Sequence, residues 1–181
     1  MSDLLLIKQC KVNNRKAQLA LYNKYCNGMY TVALRYINNT ALAQDAVQEG
    51  FIKAFSKLEQ YKGDVSFGAW LKKIVINTCL DMLKTSKRFV LEEPTVSLET
   101  TTQDNNWDVA DTTLVEEVLQ AINCLKDTQR MVLQLFLLEG YDHQEIASIL
   151  NVTETASRTL LHRGKKQIQI QLKDKAYGTG Y

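Results

Sequence analysis

A single proline, Pro94, stands in 181 residues, and it falls between two long segments whose apolar residues recur at helical spacing. Proline breaks a helix by removing an amide donor and clashing with the preceding turn, so its near-absence lets helix propagate through most of the chain. Only eight glycines interrupt those segments, and no strand-like alternation persists over consecutive stretches. The expected fold class is all-α: two small helical domains joined by an acidic flexible linker, the second containing a helix-turn-helix. A hydrophobic fraction of 45% is enough to fill packed cores.

The boundary between the two is written in charge. Residues 89–113 hold Glu92, Glu93, Glu99, Asp104, Asp108 and Asp111, no lysine or arginine, and many Thr, Asn and Gln. Such a segment has too little apolar surface to bury and reads as a linker. The organisation is therefore a first domain at 1–88, the linker at 89–113, and a second domain at 114–181 with a loose tail from Ala176. An inert tether is the plain reading. Its uniform negative sign between two basic modules also suits it to mimic a nucleic-acid backbone in a basic channel.

The net charge of +2 says little as a total, but cations cluster. Lys72, Lys73, Lys84, Lys87 and Arg88 crowd one helical segment, and Arg158, Arg163, Lys165 and Lys166 another. Four scattered cysteines (Cys10, Cys26, Cys79, Cys124) and only two histidines argue against a metal site, and each cysteine is expected to pack as a small apolar residue. No run approaches the roughly 20 apolar residues of a spanning helix, so membrane insertion is not expected and a cytoplasmic location is. No Gly-rich phosphate loop, metal-ligand spacing or nucleophile-base pair is legible, so no catalytic residue and no cofactor are expected.

Three constellations carry the functional reading. In residues 67–88, Phe67, Trp70, Leu71, Ile74 and Val75 predict a buried stripe, with Lys73, Asn77 and Lys84 on another face. Alone, that pattern is an amphipathic helix with a solvated lysine face. In residues 44–55, Asp45, Gln48 and Glu49 lie on adjacent turns, away from Val47, Phe51, Ile52 and Phe55, which join Ala17, Leu21, Tyr25 and Leu58 in the expected core.

The third constellation lies beyond the linker. A helix from near Thr113 carries Val115, Val118, Leu119 and Ile122, and a second, starting after Asp127, ends at Gly140. Asp142 and Glu145 have capping-box spacing, predicting a short helix through Leu150; Thr153 caps a longer one after the turn at Asn151. Ile146, Ala147 and Leu150 face inward, Val152 plugs the turn and Leu160 anchors the second helix. Arg158, His162, Lys165 and Lys166 fall at i, i+4, i+7 and i+8, bordered by Thr155, Thr159 and Arg163. A donor-rich helix of this kind fits the DNA major groove.

Residues 44–55 resemble the D-A-E-D-x-x-Q-E-x-F motif of bacterial sigma factors of the extracytoplasmic-function (ECF) group, and residues 67–88 resemble that group's F-x-x-W-L-x-x-I-x-x-N-x-x-x-D-x-x-R motif. The second domain looks like the same group's fourth region, and the resemblance covers residues 12–173. It implies a dissociable initiation subunit that binds core RNA polymerase, through the β′ clamp helices and the β subunit, and promoter DNA. Asp45, Gln48, Glu49 and Phe51 would then bind polymerase. Lys62, Gly63, Asp64, Val65, Ser66 and Phe67 would receive a base flipped from the −10 element, with Lys73, Asn77, Lys84 and Arg88 holding the melted strand. Thr155, Arg158, Thr159, His162, Arg163, Lys165 and Lys166 would contact the −35 element.

Two departures bear on the structure. Gly50 sits inside a helix, at a cost of about 1 kcal/mol relative to alanine, and Ser157 stands where the family usually has a valine packing on the preceding helix. The second predicts a looser seat for the recognition helix and leaves room for another partner that supplies DNA targeting, while the resemblance separately implies an anti-sigma factor. Two other classes fit parts of the chain. A helix-turn-helix transcription regulator that never enters polymerase explains only residues 114–173, and an apolar interaction adaptor predicts no salt-dependent affinity for DNA.

Overall fold

A computed structural model describes residues 3–85 and 115–178 of the chain. These form two compact units, divided between Arg88 and Phe89, and all regular structure among the described residues is helical. The proposed linker, with Lys87 and Arg88, lies outside the described residues.

The first unit contains α1 (Asp3–Lys11), α2 (Arg15–Tyr36), α3 (Thr40–Ser56), a 3-10 turn (Leu58–Gln60) and α4 (Phe67–Thr85). The helical block thus begins earlier than residue 12. Two asparagines make the corner after α1. Asn13 takes a left-handed conformation at φ 60°, and the Asn14 side chain accepts from the amides of Lys16 and Ala17 at 3.0 and 3.2 Å, as the short amide side chain favours. Asp3 then ties α1 to α2, accepting from the Tyr25 hydroxyl at 2.6 Å and from Lys24. Those donors hold the Asp3 carboxyl below its usual range, and burial, with Asp3 beside it, pushes the Tyr25 phenol up to about 12.

Leu21, Ala33, Ala43, Ala46, Ala54, Leu71, Val75 and Ile76 form the buried centre of this unit. The helical stripe on α4 is rotated from its expected position: Ile76 and Cys79 are buried, while Trp70 and Ile74 are only half-buried. Gly50 explains how α3 and α4 meet. A β-carbon there would lie 2.8 Å from Val75 Cγ2 and 3.3 Å from its Cα, so glycine admits the close approach.

The second unit contains α5 (Val115–Asn123), α6 (Asp127–Leu133), a π-helical turn (Gln134–Leu138), α7 (His143–Leu150) and α8 (Glu154–Gly178). Gly140 ends the α6 segment at φ 74°. Both halves of the capping box are present: the Glu145 amide donates to Asp142 at 2.7 Å, and the Asp142 amide to Glu145 at 3.1 Å. Asn151 turns the chain in the left-handed region at φ 55°, and Thr153 accepts from the Ala156 amide at 3.1 Å. Ile122, Leu133, Leu135, Ile146, Leu150 and Ile168 close the core.

Other expectations fail locally. Val115 is exposed at the first turn of α5, where the buried residues are Ala121 and Ile122. Ala147 and Val152 are half-buried rather than enclosed. Cys10 and Cys79 are buried as expected, but Cys26 is half-buried and Cys124 exposed. Residues 176–178 continue α8 rather than forming the start of a loose tail.

Gly50→Ala opposes two effects. Helix propensity favours alanine by about 1 kcal/mol, but the new methyl meets a β-branched side chain with a stiff χ1 and, behind it, backbone. Overpacking of this kind costs about 1–3 kcal/mol. Denaturant unfolding should therefore show Gly50→Ala to be less stable than the parent, and a more stable variant would contradict the close approach.

Candidate nucleic-acid interface

The outward face of α3 carries Asp45, Gln48 and Glu49, all exposed. The structure adds Ile52 to it and removes Phe51. Positions 45, 48, 49 and 52 follow one helical stripe, and Ile52, expected in the core, is 64% exposed. Phe51 is 2% exposed, with its ring 4.7 Å from that of Tyr22 and 6.0 Å from that of Phe55. It therefore supports this surface from beneath and offers no side chain to a partner. Glu49 pairs with Lys53 at 3.7 Å, and Lys53 also reaches the Thr78 hydroxyl on α4 at 3.5 Å.

The loop before α4 presents Lys62, Gly63, Asp64, Val65 and Ser66 to solvent. Its shape has identifiable causes. Gly63 sits at φ 89°, a conformation open to glycine, and the Ser66 hydroxyl accepts from the Ala69 amide at 3.3 Å at the start of α4. The Tyr61 hydroxyl donates to the Val65 carbonyl at 2.7 Å, closing the loop across its neck. The Tyr61 ring packs 5.8 Å from Phe67 and 5.3 Å from Trp70. Sequence reading missed Tyr61, although an aromatic two residues before a glycine and close to two further aromatics is a visible signal. Phe67, expected to face a flipped base, is instead 2% exposed and belongs to the core.

Along α4, Lys73, Asn77 and Lys84 are exposed on one face. Asp81 shares that face, also exposed, and sets a carboxylate between Asn77 and Lys84. A phosphate chain following this surface would meet attraction, then repulsion, then attraction. Arg88, the last residue assigned to the strand-binding set, is outside the described residues.

On α8 the seven expected contacts separate into groups. Thr155, Arg158 and Lys166 are exposed, whereas Thr159, His162, Arg163 and Lys165 are half-buried. Arg158 is held by Glu154 at 2.6 Å, one turn away. The Thr159 hydroxyl donates to the Thr155 carbonyl at 2.9 Å, and Lys165 Nζ sits 5.9 Å over the Phe136 ring. Arg158 must exchange its carboxylate for a base edge to read DNA, an exchange that such exposed pairs permit at small cost. Gly164 admits Leu133, whose Cδ1 lies 2.5 Å from where a β-carbon would stand. Ser157 is not a void on the seam between α7 and α8: it is 0% exposed, and its Oγ lies 2.9 Å from His143 Nδ1. Among the described residues, no three His, Cys, Asp or Glu side chains converge as metal ligands, and no helix is long and apolar enough to cross a membrane.

Two helical units, one with a looped helix bearing cations and an amide and the other with a capped helix-turn-helix, define a class. Residues 21–89 match the family Sigma-70 region 2, and residues 115–168 match Sigma-70, region 4. The chain belongs to the sigma-70 family, as an ECF RNA polymerase sigma factor. It is 28% identical over 179 residues to the ECF RNA polymerase sigma factor SigW of Bacillus subtilis (strain 168), covering 93% of this chain and 95% of that one. It is 26% identical over 178 residues to the ECF RNA polymerase sigma-E factor of Escherichia coli (strain K12), covering 93% of each. Two solved structures share the fold at a TM-score of 0.51 and 20% identity. One is the sigma factor RpoE in complex with the anti-sigma factor NepR from Bartonella quintana, matched over 85% of this chain and 95% of that one. The other is CnrH in complex with the cytosolic domain of CnrY, matched over 94% and 97%.

Tyr61→Phe keeps the ring packing and removes only the bond to Val65. An exposed hydrogen bond contributes about 1 kcal/mol or less, so global unfolding should barely change. Amide exchange at residues 62–66 should rise about threefold or more as the neck of the loop opens, and unchanged exchange would mean that the ring alone shapes it.

Proposed function

We propose that this sigma factor divides promoter recognition among three surfaces. The α3 face of Asp45, Gln48, Glu49 and Ile52 docks on the β′ clamp helices of core RNA polymerase. The loop at residues 62–66, with Lys73, Asn77 and Lys84 on α4 and Arg88 beyond it, traps the melted −10 strand. Arg158, with Thr155 and Lys166, contacts the −35 element, and the other polar residues of α8 border that contact. The domain division at residues 1–88, 89–113 and 114–181 follows this split, with the linker setting the reach between the two DNA contacts.

The observation that supports this reading best is the pairing of unlike surfaces around one small core. An acid-and-amide face with an exposed isoleucine stands on α3, and a cation-and-amide face stands on α4, the helix packed against it. Phosphates favour the second and repel the first, whereas a protein partner can bury an aliphatic side chain and satisfy the carboxylates with its own cations. A duplex-binding regulator working alone leaves the α3 face without a task. The chain itself supplies no chemistry in this reading; phosphodiester formation belongs to polymerase, in the cytoplasm. An anti-sigma protein, of the kind seen with the two solved relatives, would restrain the chain by covering these faces.

Charge reversal tests the docking surface directly. Glu49→Lys should reduce retention of core polymerase about tenfold or more in a pull-down, because repulsion replaces attraction at an interface carboxylate. Retention equal to the parent's would overturn the assignment. For α8, Lys166→Ala should reduce the salt slope of upstream DNA binding by about 0.9, the loss of one phosphate contact, measured by titration from low to moderate salt. An unchanged slope would remove Lys166 from the interface.

A further inference from the structure

Where α8 rests on its neighbours, a part-buried polar contact interrupts an apolar seam. Ser157 lies in the first turns of α8, fully buried beside Ala156, Leu160 and Leu161. Its Oγ lies 2.9 Å from Nδ1 of His143, the first residue of α7. The His143 ring in turn stacks on Phe136 of the π-helical turn, with centroids 4.8 Å apart and planes inclined by 26°. One imidazole, carried by α7, thus joins the π-helical turn to the recognition helix. Ser157 immediately precedes Arg158, which stands about 100° further round the helix and is exposed to solvent.

We propose that His143 and Ser157 are positioning residues, a part-buried polar latch that sets the rotation of α8 on α7 and so aims Arg158 and Lys166 at upstream DNA. This rests on the reading of α8 as the duplex-contacting helix. Apolar side chains pack without strong direction, so a valine-type contact tolerates small rotations of one helix against another; a hydrogen bond has a distance and an angle to keep. Rotating α8 by about 20° would carry a side-chain tip about 2 Å, given a helix radius of about 5–6 Å with side chains. That displacement is enough to break a bidentate contact to a base edge. The latch therefore answers the family departure at Ser157 with a directional contact in place of an apolar one.

The surroundings oppose a charge on the ring. Burial, foremost, and the nearby Arg158 hold the His143 pKa below 6.5, with Lys165 adding to the effect; Glu154 and Asp142 pull the other way without outweighing them. Unfolded histidine takes up its proton near pH 6.5, while the folded ring resists it. By linkage the fold is therefore most stable above that pH and loses stability as pH falls from 6.5 toward the lower folded value, while the contact itself persists, because a protonated Nδ1–H donates to the Ser157 hydroxyl oxygen.

The test uses the full chain with core polymerase and a promoter that this chain selects from a library randomised upstream. All proteins carry His162→Gln, so that the chain's other histidine does not contribute. Ser157→Ala strands the imidazole nitrogen, and should lower discrimination between the selected and a scrambled upstream element about five- to tenfold. Initiation on a pre-melted template lacking that element should stay at the parental rate. A double variant, His143→Phe with Ser157→Val, replaces the polar pair with an apolar one, a change that cores tolerate. Between about pH 7.5 and 5.5 the parent should lose stability to denaturant, and the double variant should lose less. Parental discrimination in Ser157→Ala, or a parental pH decline in the double variant, overturns the latch. If Lys166→Ala leaves upstream binding intact as well, the reading of α8 beneath it falls too.

Discussion

Gly50 marks the contact on which the first unit depends. With a hydrogen in place of a side chain, α3 lies against Val75 of α4 at a separation that a β-carbon would force wider, and dense packing of this kind transmits position from one helix to the next. Because the two helices share that seam, their outer faces are fixed relative to each other: carboxylates and Ile52 on α3, cations and Asn77 on α4. A glycine that costs the helix stability by propensity is what lets an acidic face and a basic face share one small body. Phe51 and Phe67, both buried, do their work inside that body, and the residues beside them face outward.

In the second unit, definition comes from polar contacts at helix ends more than from the size of the core. The capping box starts α7, Asn151 turns the chain, and Thr153 starts α8. Each satisfies an amide or carbonyl that a helix end leaves without an intrahelical partner. Gly164 then lets Leu133 approach α8, and the His143–Ser157 contact adds a direction that the surrounding leucines cannot supply. Arg158 pairs with Glu154 one turn away on the exposed surface of the same helix.

Local signals were the most legible in the sequence. Periodicity and turn signals place α3 to α8 near their observed segments, and capping chemistry fixes the starts of α7 and α8, because these depend on residues within one or two turns. Asp45, Gln48, Glu49, Lys73, Asn77 and Arg158 are all exposed as their spacing implied. What failed was the rotation of each helix about its own axis. Ile52 and Phe51 differ by one position, about 100° on a helix, and either is apolar enough for a core; only the packing of Tyr22 and Phe55 against Phe51 decides between them. Ile74 and Ile76 exchanged roles on α4 for the same reason, and Asp81 joined the basic face unannounced.

The sequence by itself determined an all-helical chain in two parts, the family to which it belongs, and the residue types available to each surface. Helix-period patterning, caps and charge clusters are properties of neighbouring residues and survive without knowledge of what packs where. The tertiary structure alone decided that Gly50 is a packing requirement, that Tyr61 closes the loop before α4, and that Ser157 reaches His143 across 14 positions of sequence. The long contacts of Gly50 and Ser157 arise where separate helices meet, at distances and angles set by their shared core. Tyr61 shows the same dependence over a shorter span, since its ring is held by Phe67 and Trp70 before its hydroxyl can reach Val65.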